Sequence, residues 1–143
     1  MLEVGGTNMN WKWKTFFIII TLLIYLSLYY VSIKYLSDLY WFEWTRRHRY
    51  VWTWVFAIGF ILGNRIFISF SITVGNLAGV IIGQHLGDRI QAYTISQIVP
   101  GMDAETVYHL HDHPGIEIWL CTLFFFVVIG VIAEKLWRRK VHV

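Results

Sequence analysis

Apolar and polar positions along this chain fall into long blocks, not into the short alternation of a half-buried strand or the tight period of a surface helix. No charge occurs between Thr15 and Ile33, and a helix over that block reaches about 28 Å, close to the hydrocarbon thickness of a bilayer. The pattern predicts a transmembrane helix over 15–33. A second uncharged block predicts a last span over about 116–134, entered past Glu117 and left through Glu134 into a basic tail, 135–143. Between them, 51–87 is apolar with one charge, Arg65, and the polar interruptions Asn64, Asn76, Gln84 and His85.

Glycine marks this middle stretch. Gly75, Gly79, Gly83 and Gly87 recur at a four-residue step, which on a helix stacks them into one slowly turning groove. Small residues in such register let helices approach closely within lipid, either inside one chain or between copies. As a single straight helix 51–87 would extend about 55 Å, too long for one crossing. It either tilts, continues as a re-entrant piece, or turns at Gly63-Asn64-Arg65 into two short spans. Arginines 46, 47 and 49 and the basic tail belong on the same cytoplasmic side by the positive-inside rule, so an even number of crossings should separate them. The expectation is therefore an all-α integral membrane protein with three transmembrane helices, N-terminus outside and C-terminus cytoplasmic. A four-span hairpin is the alternative.

The remaining segments fit one membrane domain. Residues 1–10 form a polar leader without the pattern of a secretory signal. Residues 34–50 mix aromatic, acidic and basic side chains and read as an interfacial segment that anchors in the headgroup layer and suits anionic lipid heads. Tryptophans 11, 13, 41, 44, 52, 54, 119 and 137 avoid the middle of every inferred span, as an aromatic belt requires. Residues 88–115 form a water-facing cap, in which Asp103 and Glu105 favour the start of a short helix.

Composition agrees. Hydrophobic residues make up 57% and charged ones 15% of 143 residues, too apolar for a wetted globular surface. The net charge of +3 comes from basic clusters separated by apolar runs, which excludes one folded basic face and with it nucleic-acid binding. Cys121 is the single cysteine, so no intrachain disulfide forms. No phosphate-binding loop, nucleophile elbow or paired-cysteine motif occurs, and the chain is too short for the paired repeats of a secondary transporter unless it dimerises.

Candidate chemistry sits in three places. In an extended segment His109, His111 and His113 would point the same way and could hold zinc or another divalent transition metal, assisted by Glu117 and His85. The run from His111 to Glu117 resembles the metal-binding motif of cupins, but that fold needs many strands around it and a membrane helix follows here. Arg65 and Asn76 would share one helical face as an intramembrane polar path or anion clamp. The glycine seam supports packing or, in a ring of copies, a pore. The leading reading is a small multi-pass protein that self-associates or docks on a larger membrane partner through the seam, as an accessory subunit, small channel or membrane-permeabilising protein resembling holins in layout. The rival is a membrane-embedded metalloprotein built on the three histidines.

Overall fold

The computed structural model describes residues 9–141. Of the described residues 81% are helical and none forms a strand, so their backbone groups are satisfied within segments, as a lipid surrounding demands. The order is α1 (Trp11–Lys34), α2 (Tyr40–Arg47), α3 (Val51–Leu62), α4 (Ile66–Ile95), α5 (Ala104–Leu110) and α6 (Gly115–Val141). Helices α1, α4 and α6 are long and apolar enough to cross a membrane, while α3 is a shorter apolar helix. The Asn10 side chain caps α1 by accepting the Lys12 N–H, which satisfies one of the four orphan donors of its first turn.

The stretch 51–87 is not one continuous helix. It breaks at the expected place and reverses. The Arg65 N–H donates to Phe60 O at 2.8 Å and the Asn64 N–H to Ile61 O at 3.0 Å, the two bonds of a Schellman ending. Asn64 sits at φ 58°, a left-handed position that asparagine tolerates better than most residues. Two cations close further carbonyls there, Lys14 Nζ on Leu62 O and Arg138 Nη2 on Asn64 O, each at 3.0 Å. Beyond the turn α4 runs back along α3, packing Ile68 and Ile72 against Ala57.

The start of α1, the α3–α4 turn and the end of α6 meet at one end of the bundle, through Met9 and Lys14 on one side and Arg138 on the other. The start of α1 and the end of α6 therefore share an end, while Arg49 lines a pocket with Leu22, Tyr25 and Tyr29 part-way along α1.

Helix α6 packs antiparallel along the glycines of α4. A Cβ at Gly75 would meet Phe126, one at Gly79 would meet Trp119, and one at Gly83 would meet Gly115 O and Trp41 Nε1 at 3.0 Å. Gly115 and Gly130 on α6 are equally tight against Trp41 and Ser71. The contact is thus made within the monomer, and both helices supply glycine.

Two segments do more than expected. Helix α2 inserts Trp41 and Phe42, 2% and 4% exposed, into a core with Tyr25, Tyr50 and Val80, so it is a packed element as well as an anchor. Helix α4 runs through Gly87-Asp88 to Ile95, because Gly87 faces His113 instead of ending the helix. Helix α5 folds back on this extension through Thr94 Oγ1 to Leu110 O and Gln91 Nε2 to His111 O.

Candidate functional site

The most connected polar group lies where α2, α4 and the start of α6 converge. The Trp41 N–H belongs to the first turn of α2 and has no partner within that helix. It donates to Gln84 Oε1 at 2.7 Å. Gln84, 1% exposed, passes its own Nε2 to both oxygens of Asp88 at 2.8 Å. His113 reaches the same carboxylate, Nε2 to Oδ1 at 3.2 Å, while its Nδ1 accepts the Gly115 N–H at 3.1 Å. One tautomer satisfies both contacts, with the proton on Nε2. The imidazole fits because Gly87 and Gly115 present no side chain to it, and the Tyr40 ring covers it at 4.9 Å between centroids.

This arrangement does not bring His109, His111 and His113 together. Residues 104–110 are helical and a turn follows, so alternate positions no longer point the same way. His109 Nδ1 lies 3.4 Å from Asp112 Oδ2, and His111 Nδ1 donates to Val107 O at 2.7 Å, both on the exposed face of α5. The His113 side chain is turned inward, 2% exposed. Glu117 is exposed in the first turn of α6 and His85 is exposed on α4. Among the described residues no three or more His, Cys, Asp or Glu side chains come together in a metal-binding group.

The intramembrane polar set is also redistributed. Asn76 is fully buried, and its Oδ1 accepts the Trp119 Nε1 proton at 3.1 Å across the α4–α6 contact. Arg65 does not share its helical face, because Arg65 precedes the first residue of α4 and is exposed. The buried charge at that end is Glu134 instead, its side chain 6% exposed. It accepts Arg138 Nε at 2.9 Å and the Phe67 N–H of α4's first turn at 3.3 Å. The carboxylate thereby occupies the positive end of the α4 dipole. Sequence offered one signal for it, the four-residue step from Glu134 to Arg138.

Around this pair lies a cavity of about 730 Å³, lined by Arg65, Ile68, Val131, Glu134, Lys135, Arg138 and Arg139. Its walls carry four cations and one carboxylate over an aliphatic floor. Compared with known protein families, curated proteins and solved structures, the chain matches none.

Proposed function

We propose that this chain is a multi-pass protein of a lipid bilayer that acts through association, as an accessory or assembly subunit, with copies of itself or with a larger membrane partner. The observation that carries this reading is α6. Only 6% of its 18-residue apolar window is buried, and Phe124 and Phe125 are 70% and 61% exposed. Such a face needs lipid or another apolar helix against it. The glycines of α4 are filled by α6 itself, so a partner uses the outer faces of the bundle instead of the seam.

The interior polar groups Asn76, Gln84, His113 and Glu134 are engaged with other parts of the chain. They hold helices together, which favours an associating role over a channel built from one copy. Charge supports an orientation with both termini cytoplasmic. Lys12, Lys14, Arg65, Lys135, Arg138 and Arg139 gather at the terminal end, against the acidic residues Asp88, Asp103, Glu105, Asp112 and Glu117 at the other.

The test uses mass in lipid nanodiscs together with oxidative cross-linking through Cys121, which is exposed on α6. A discrete oligomer, or a complex retained through purification, is expected. A monomer at every lipid ratio, with no retained partner, overturns the reading. Metal binding at His109, His111 and His113 would require α5 to unwind and His113 to leave Asp88, and stoichiometric metal in untagged protein is the result that would reinstate it.

A further inference from the structure

We infer that the cavity between the start of α4 and the end of α6 binds the headgroup of an acidic phospholipid. The argument begins with Arg138, which is already committed. It is fixed by Glu134 on one side and by the Asn64 carbonyl on the other. Glu134 is likewise consumed, by Arg138 and by the Phe67 N–H. The fixed pair is close to neutral, and Arg65, Lys135 and Arg139 remain as surplus positive charge around the same cavity. Arg65 and Arg139 carry planar forks suited to phosphate oxygens, and Lys135 adds a mobile point charge.

The cavity's shape selects a lipid over a soluble anion. Ile68 and Val131 form its floor, and the helices that bear them continue as apolar surface towards Phe124 and Phe125. A ligand with one anionic end and aliphatic chains satisfies both parts together. Basic pockets between membrane helices on the cytoplasmic side have this chemistry, and the terminal end of the bundle is the end assigned to that side above. The inference therefore rests on the bilayer placement. Failure of the placement would be read separately, as extraction of the protein from membranes by alkaline carbonate.

The test is native mass spectrometry of the full chain in detergent, offered phosphatidylglycerol or phosphatidylcholine at equal concentration. Preferential retention of phosphatidylglycerol is expected, reduced about tenfold or more in the variant Arg65→Gln, Lys135→Gln, Arg139→Gln, since each cation near a headgroup adds to its retention. Arg138 is left in place so that the Glu134 pair and the hairpin turn stay intact. A charge-keeping variant, Arg65→Lys with Arg139→Lys, should retain most of the preference, and Lys12→Gln with Lys14→Gln should retain it fully. Should the triple variant fail to fold, Arg65→Gln and Lys135→Gln singly must each lower retention. Equal retention of the two lipids, or unchanged retention in the variants, overturns the proposal. Full competition by inorganic phosphate overturns the lipid as occupant and leaves a soluble-anion site.

Discussion

His113 and Asp88 meet across the α4–α6 crossing at 3.2 Å, from a histidine side chain 2% exposed to a carboxylate 49% exposed. The contact joins the last helix to the helix that turned back before it, at the end opposite the hairpin. Glu134 makes the equivalent join at the other end, with its buried carboxylate on the Phe67 N–H. Between them Asn76 holds Trp119. The α4–α6 pair is thus pinned at both ends and in the middle by polar bonds, while glycine permits the close approach along its length.

Removing the His113 ring should loosen the upper pin. His113→Ala leaves the Gly115 N–H without its acceptor and opens a gap against Gly87 and Tyr40, a loss of about 1–3 kcal/mol in unfolding free energy. Asp88→Asn should cost less, about 0.5–1.5 kcal/mol, because the amide oxygen still accepts from His113 Nε2. Denaturant unfolding in a fixed detergent reads both. Equal stability of His113→Ala and the native chain would mean that the contact holds nothing.

The glycines differ sharply from one another. At Gly79 a Cβ would lie 2.8 Å from Trp119 Cδ1 and 3.2 Å from its carbonyl oxygen. Gly79→Ala must then part α4 from α6, for a loss of about 1–3 kcal/mol, and Gly79→Leu should disrupt the fold itself more than any oligomer. At Gly59 nothing lies within 4 Å, so Gly59→Ala should gain about 0.5–1 kcal/mol from helix propensity alone. Thermal unfolding of the pair in one detergent gives the comparison. Changes of the same sign at both positions would contradict the packing.

These contrasts show which features a linear reading can reach. Helices α1 and α6 were legible because lipid imposes long uncharged blocks, and the start of α5 because Asp103 is a capping side chain at a recognisable step. The turn at residues 63–65 was visible as an alternative, yet charge counting favoured a single crossing. What closes the turn is the convergence of Lys14 and Arg138 on its carbonyls, a tertiary fact without a local pattern. His113 was misplaced for a related reason. Its neighbours argue for an extended histidine-rich segment, and the space that draws it inward is made by Gly87 on another helix. Trp41 resembles its interfacial counterparts in sequence, and only Gly83 and Gly115 explain why it is buried.

Acid should act on α5 through one group. The Asp103 carboxylate is held below its ordinary value of 3.8 by the Thr106 hydroxyl and then by the Thr106 N–H. A depressed folded value means that the cap contributes fully above the ordinary carboxylate range and fades as pH falls through it. Amide shifts of residues 104–110, followed by NMR during acid titration, should report fraying of the first turn. Asp103→Asn caps without titrating and should flatten that response. A response of the same size in Asp103→Asn would assign the fraying to another group.

The shared end of the termini gives the prediction with the widest consequence. With Cys121 replaced by serine, single cysteines at Asn10, Gln97 and Val141 can be challenged in intact cells with an impermeant maleimide. Gln97 lies in the turn just beyond α4, before α5, while Asn10 and Val141 border the hairpin end. Labelling at Gln97→Cys alone, with Asn10→Cys and Val141→Cys reactive only after permeabilisation, is expected for a bundle whose basic end faces the cytoplasm. Labelling of Asn10→Cys and Val141→Cys from opposite sides would remove the hairpin, because Lys14 and Arg138 could not then both reach the turn at residues 62–64. The basic cavity is built from the start of α4 and from α6 alone, so the same labelling tests from which side of the membrane a lipid headgroup would enter it.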